Sequence, residues 1–67
     1  MITPKFAQAE VALSTIDGNA FSIMGATIKA LKAVGATPDE IKEYQAEAMS
    51  GSYENLVKTT MEWVEIS

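Results

Sequence analysis

The sequence predicts a small α+β domain of order β-α-α-α-β, in which paired terminal strands pack on three helices. Three observations predict it: turns containing glycine divide the chain at three points, helical apolar spacing fills the segments between them, and both ends carry short strand-like stretches. The 67 residues provide for one domain, residues 1–67, and residues 1–8 are candidates for a poorly ordered start.

The first helix is predicted over residues 20–34, where Asn19 or Asp17 can cap its first turn. Two neighbouring apolar stripes make its apolar face wider than a surface helix needs, so we expect a central helix. The stripes contain Phe21, Met24, Ile28 and Leu31 and, beside them, Ile23, Ala30 and Val34. Thr27 interrupts the second stripe, but a buried threonine can donate its hydroxyl to the carbonyl of the preceding turn.

The two glycines of this segment, Gly25 and Gly35, lead to different structural predictions. Gly35 stands where a left-handed residue is expected to end the helix. Gly25 lies inside the helix, where glycine costs up to about 1 kcal/mol relative to alanine. Either another part of the backbone packs closely on Gly25 and Ala26, or Gly25 joins a close helix–helix contact across an interface between copies of the chain.

The second and third helices also have clear starts. Thr37-Pro38-Asp39-Glu40 is a capping box with proline at the first helical position. Ser52 can cap a third helix. The apolar stripe of the second helix contains Ile41, Tyr44 and Ala48, and that of the third contains Tyr53, Leu56, Val57, Thr60, Met61 and Val64.

The ends of the chain leave two alternatives. Within residues 6–16, Val11 and Leu13 alternate with small or polar residues, as in a half-buried strand, but Phe6, Ala9 and Leu13 also have nearly helical spacing. Residues 63–66 fit a short strand. Two strands are marginal in water unless they pair and a helix covers them, so the alternative to the α+β domain is a four-helix, all-α domain.

Composition excludes most catalytic and metal chemistry. The chain has no cysteine and no histidine, so it lacks disulfides, thiolate ligands and the commonest general base. The nearest serine–lysine pairs, such as Ser22 with Lys29 and Ser52 with Lys58, have spacings that do not bring them together. We therefore expect a non-enzymatic protein with no catalytic residue and no cofactor. For so short a chain, a homo-oligomer is as plausible as a monomer.

Two acidic segments do not fit a cation site. Glu40, Glu43 and Glu47 share a helix face, but calcium needs roughly six to eight converging oxygens and this helix supplies no loop ligands. Asp17 begins a string resembling a calcium loop, but Ile28 stands where the closing glutamate belongs. The first segment is interpreted as a solvated face and the second as a turn, and no metal is expected.

Charge and hydropathy bear on partners and location. The net charge is −4, with five lysines and no arginine, which argues against direct contact with nucleic acid. No apolar run approaches the roughly 20 residues that span a bilayer, and the first residues do not have the pattern of a signal peptide. We expect a cytoplasmic protein without a membrane partner.

One string resembles a known family. DGNAFSIMGA at residues 17–26 is similar to a DGNAFxIxG segment in small phage and prophage proteins of unknown function. The resemblance continues through AVG at 33–35, EAMSGSY at 47–53 and MEWVEI at 61–66, and it covers roughly residues 10–66. It implies an opening strand and a phage context, and it carries no activity that can be transferred to any residue.

The chain departs from that family in one respect. Family members carry arginine after the glycine of the first helix and in its second half, where this chain has Ala26, Thr27, Lys29 and Lys32. This departure weakens any function that depends on a basic surface.

The functional expectation is a phage or prophage accessory protein that acts by protein–protein contact and modulates a host factor or a host defence system. Its partner would be another protein, a second copy of the chain, or both. The candidate surface comprises Phe21, Met24, Gly25, Ile28, Tyr53 and Trp63, although core packing is the favoured role for the two last aromatic residues. The alternatives are a nucleic-acid-associated factor in phage replication and a small-ligand-binding protein.

Overall fold

The structure, a computed structural model, describes residues 4–12 and 17–66. These residues form two strands and three helices in the predicted order, which confirms the α+β domain and rules out the four-helix alternative. The elements are β1 (Phe6–Val11), α1 (Ala20–Ala33), α2 (Pro38–Ala48), α3 (Tyr53–Trp63) and β2 (Val64–Ile66). β1 thus begins within residues 1–8, and residues 13–16 of the predicted first strand lie outside the described residues.

The two strands pair in parallel and form a two-stranded sheet. In the strand pairing, Phe6 lies opposite Val64 and Glu10 lies opposite Glu65. Three residues of β1 lie between these two pairs, whereas no residue of β2 does. Side chains alternate along a strand, and such an irregularity changes which of them face inward. Phe6 packs inward before it, and Ala9 and Val11 do so after it. This shift explains why the spacing of Phe6 and Ala9 also resembles that of a helix.

Helix α1 is central, because it contacts β1, α2 and α3. Ile23, Met24, Thr27 and Leu31 are buried, and the Thr27 hydroxyl donates to the Ile23 carbonyl at 2.8 Å, as predicted. Phe21 differs from the prediction, since 79% of it is exposed. It lies about a quarter-turn from the centre of the buried face, at the edge of that face.

All three helix starts are capped as predicted. The backbone N–H groups of Ser22, Glu40 and Asn55 donate to the side chains of Asn19, Thr37 and Ser52, respectively. In α2 the Glu40 carboxylate also accepts from the Thr37 N–H at 2.8 Å, which completes the capping box.

The core is organised around Trp63, which is only 2% exposed. The Phe6 ring stacks on it at a centroid distance of 5.9 Å, and the Tyr44 ring meets it edge-on at 5.8 Å. Lys5 Nζ lies 4.2 Å from the ring centroid and 3.5 Å from a Glu43 carboxylate oxygen. One indole therefore joins β1 and α2 to the end of α3.

A buried hydrogen-bond chain satisfies the polar groups beside this cluster. The Tyr44 and Thr60 hydroxyl oxygens are 2.6 Å apart, and the Thr60 hydroxyl lies 2.9 Å from the Leu56 carbonyl, to which it donates. Because a threonine hydroxyl has one proton, Tyr44 must be the donor to Thr60. α2 and α3 are thus joined by a directed contact as well as by apolar packing.

Gly25 and Gly35 have opposite roles. Gly35 has a φ of +87°, and the Gly35 and Ala36 N–H groups donate to the Lys32 and Leu31 carbonyls, which closes α1 with a Schellman motif. Gly25 is exposed, and in the described part of the chain no atom outside its own helix backbone lies within 4 Å of the position that a Cβ would occupy. The close backbone packing predicted on Gly25 is therefore wrong for the described part of the chain, whereas Ala26 is half-buried against the core.

No helix in the described part of the chain is both long and apolar enough to cross a membrane.

Substituting alanine at these two glycines should change stability in opposite directions. Gly25→Ala should raise the free energy of unfolding by up to about 1 kcal/mol, because glycine is costly in an open helical position. Gly35→Ala should lower it by roughly 1–2 kcal/mol, because alanine is strained at positive φ. Thermal and urea denaturation measure both changes. A loss of stability in Gly25→Ala would contradict the open environment of Gly25.

The exposed face of the sheet brings two carboxylates together, because Glu10 and Glu65 are both exposed and in register. Like charges on paired strands are unfavourable. Glu10→Lys should raise the free energy of unfolding by about 0.2–1 kcal/mol in urea denaturation at low salt. Adding Glu65→Lys restores a like-charge pair and should remove the gain. A further gain in the double variant would instead indicate a general effect of net charge.

Candidate protein-interaction surface

The exposed large apolar side chains of the described residues are concentrated in one region. They are Phe21, Met49, Tyr53 and Met61, with exposures of 79%, 66%, 50% and 47%. Phe21, Met49 and Tyr53 border a groove of about 280 Å³, and Tyr53, Val57 and Met61 border a second of about 390 Å³. Because Tyr53 belongs to both, the two grooves adjoin. We call Phe21, Met49, Tyr53, Val57 and Met61 the apolar strip.

The α3 part of the apolar strip is a straight row. Tyr53, Val57 and Met61 are four residues apart, so they follow one another along one side of the helix over about 12 Å. Val57 is half-buried and packs against the core, whereas the residues at either end are exposed. The row therefore lies on a helix whose opposite side is held by the core.

The other part of the strip is positioned by a contact between two turns. The Tyr53 hydroxyl donates to the Gly18 carbonyl, which joins the turn before α1 to the first residue of α3. Phe21 follows that turn on α1, so its ring lies beside Tyr53 along the first groove. The segments 17–21 and 50–53 thus meet at the apolar strip.

The connection between α2 and α3 positions Met49. The Glu47 carbonyl accepts from the Ser50 hydroxyl at 2.7 Å and from the Asn55 side-chain amide at 2.9 Å. These bonds satisfy a carbonyl at the end of α2 and tie it to the first turn of α3. Met49, which ends α2, is consequently held on the side facing Phe21 and Tyr53.

The structure divides the six predicted surface residues. Phe21 and Tyr53 lie on the apolar strip, so the core role favoured for Tyr53 is not the role that the structure shows. Met24, 8% exposed, is buried beneath the first groove. Trp63 is a core residue, and its inclusion in a contact surface is wrong, since Phe6, Tyr44 and Lys5 surround its ring.

The remaining two predicted residues lie on α1 outside the strip. Gly25 is exposed one turn after Phe21. Ile28 is half-buried and lines a separate groove with Lys32 and Ile41. Neither residue belongs to the two adjoining grooves.

Sequence reasoning missed Met49 and Met61 as surface residues. The prediction includes Met61 in the apolar stripe of α3 and names no surface role for Met49. For Met61, the signal that could have indicated exposure is its four-residue spacing from Val57, which Tyr53 repeats on the other side. Val57, at the centre of this row, lies about a quarter-turn or more around the helix from the buried residues Leu56, Thr59 and Trp63, whereas the buried Thr60 lies nearer to the row.

The charged groups bordering the two grooves are balanced. Glu54 and Lys58 line the second groove, and no other charged residue of the described chain lines either one. A chain of net charge −4 thus has a locally neutral strip. The described residues also contain no group of three or more acidic residues that could hold a metal ion. The chemistry that this surface offers is apolar contact bordered by one carboxylate and one ammonium group.

Comparisons with protein families, curated proteins and solved structures give no match to this chain. Its candidate surface is therefore interpreted from its own residues and their geometry.

Proposed function

We propose that this protein is a small, non-enzymatic binding module that acts by protein–protein contact through the apolar strip. The observation that carries the proposal is the concentration of the exposed large apolar side chains on two adjoining grooves. Single exposed apolar residues are ordinary, whereas contiguous ones usually mark contact sites.

The composition of the strip also suits protein recognition. It contains two methionines, a phenylalanine and a tyrosine, and aromatic residues and methionine are enriched in the centres of protein interfaces. Methionine side chains adapt to irregular partner surfaces. The lysines are not gathered here, since only Lys58 borders the strip, so its chemistry favours a protein partner over nucleic acid.

The biological setting that we propose is that of a phage or prophage accessory protein. It would act in the host cytoplasm by modulating a host factor or a host defence system. This part of the proposal rests on the resemblance carried by residues 17–26, 48–53 and 61–66.

The test is a double variant, Met49→Lys with Met61→Lys, that places charge at both ends of the strip. Both positions are exposed, so the melting temperature should change little, whereas partner binding should fall at least about tenfold, because apolar contact is lost and lysine must be desolvated. The measurement is capture from a lysate of the natural host with mass spectrometry, followed by calorimetric titration of any protein captured.

The matched control is Ala33→Lys with Ala46→Lys, which adds the same charge at exposed helical positions away from the strip. The control should retain the partner captured by the unmodified protein. Equal retention of that partner by the strip variant would show that the protein binds through another surface.

A further inference from the structure

We propose that the occupant of the apolar strip is a second copy of this chain, docked with the two α3 helices antiparallel about a twofold axis near Val57. This inference rests on the proposed function, since it names the partner of that same surface. Four features of the chain support it: the symmetry of the α3 row, the arrangement of its charges, the position of the first groove and the length of the protein.

The first feature is the spacing of the row. Tyr53 and Met61 lie four residues before and after Val57. A twofold axis at Val57 therefore places Tyr53 opposite Met61 of the second copy, and Met61 opposite Tyr53 of the second copy. Methionine sulfur and an aromatic ring make favourable contacts, so the same surface complements itself twice.

The second feature is the charge arrangement. Glu54 and Lys58 run beside the row, each one residue after Tyr53 and Val57, respectively. A twofold axis perpendicular to the plane of the two helices keeps this charged row on the same side in both copies, while it reverses the order of the charges. Glu54 then lies near Lys58 of the second copy, and Lys58 near its Glu54. The antiparallel arrangement thus makes two Glu54–Lys58 contacts across the axis, which outnumber the single approach of the two Lys58 side chains, since Lys58 lies one residue from the axis.

The third feature is the groove between Phe21 and Met49. It lies at the Tyr53 end of the row, which is the end where Met61 of the second copy arrives. The groove can therefore accept that side chain. In the antiparallel arrangement, both parts of the apolar strip take part in each half of the contact.

The fourth feature is size. A chain of 67 residues buries a small core, and oligomerisation is one of the usual means of stabilising such a domain. A standard interface takes about 800 Å² from each partner, which compares with a total surface of 4285 Å² here. The strip covers one side of α3 and the adjoining turns, so we expect a dimer at the small end of this range, with a Kd of the order of micromolar.

The experiment is sedimentation equilibrium of the purified full chain from about 0.1 μM to about 1 mM, a range that brackets that Kd. Glu54→Lys and Lys58→Glu should each raise the dimer Kd by roughly tenfold, because each places two like-charged pairs across the twofold axis. The double variant, with both substitutions, should return the Kd to within about threefold of the original, because each copy again meets opposite charges. The controls Glu10→Lys and Lys42→Glu carry the same charge changes away from the strip and should leave the Kd unchanged.

Three results would overturn the inference. They are a monomer throughout the concentration range, a dimer whose Kd in both single variants equals that of the unmodified protein, or a double variant whose Kd does not return towards that of the unmodified protein. A monomer that still captures a host protein through Met49 and Met61 would leave the proposed function standing and assign the strip to a different protein. A dimer that recovers in the double variant supports the second copy as the occupant, whatever the lysate experiment returns.

Discussion

The fold depends most on the burial of Trp63 at the junction of α3 and β2. Its ring is contacted by Phe6 from β1, by Tyr44 from α2 and by the Lys5 ammonium group. A two-stranded parallel sheet is marginal by itself, and Trp63 supplies the apolar surface on which its first strand packs. The backbone bond from the Lys5 N–H to the Glu62 carbonyl, 3.0 Å long, extends the strand pairing to the last turn of α3.

This arrangement determines which apolar residues remain outside the core. The space between the sheet and the helices is filled by Trp63, Tyr44, Leu31 and smaller side chains. Phe21, Met49, Tyr53 and Met61 lie at the edges of the buried faces and stay exposed. Capped turns and the hydroxyl of Tyr53 hold them in place. The fold therefore positions the strip, although the packing of the core does not require it. Such a surface is available for a partner.

Local signals in the sequence predicted most of the fold. Capping at Asn19, Thr37 and Ser52 and the left-handed Gly35 depend on nearest neighbours, and all are confirmed. The first strand stayed ambiguous because its irregular register shifts the inward positions from even to odd residue numbers. The candidate site was predicted only in part, at Phe21 and Tyr53. For Trp63 the favoured core role is confirmed, and only its alternative place among the surface residues is wrong. Met61 was assigned to the apolar stripe of α3 and is exposed, because helical spacing identifies an apolar face, whereas its burial depends on which neighbouring elements reach it.

The central claim is that the apolar strip is a contact surface distinct from the core. The most direct measurement is the NMR spectrum of protein labelled with 13C in the methionine methyl groups and with 15N in the Trp63 indole, recorded over increasing protein concentration. The account predicts that the Met49 and Met61 signals shift together as copies associate, while the indole signal of Trp63, which is buried in the core and lines neither groove, changes much less. Unchanged Met49 and Met61 signals across the whole concentration range would contradict self-association through the strip, and equal shifts of all three signals would indicate a change in the fold instead.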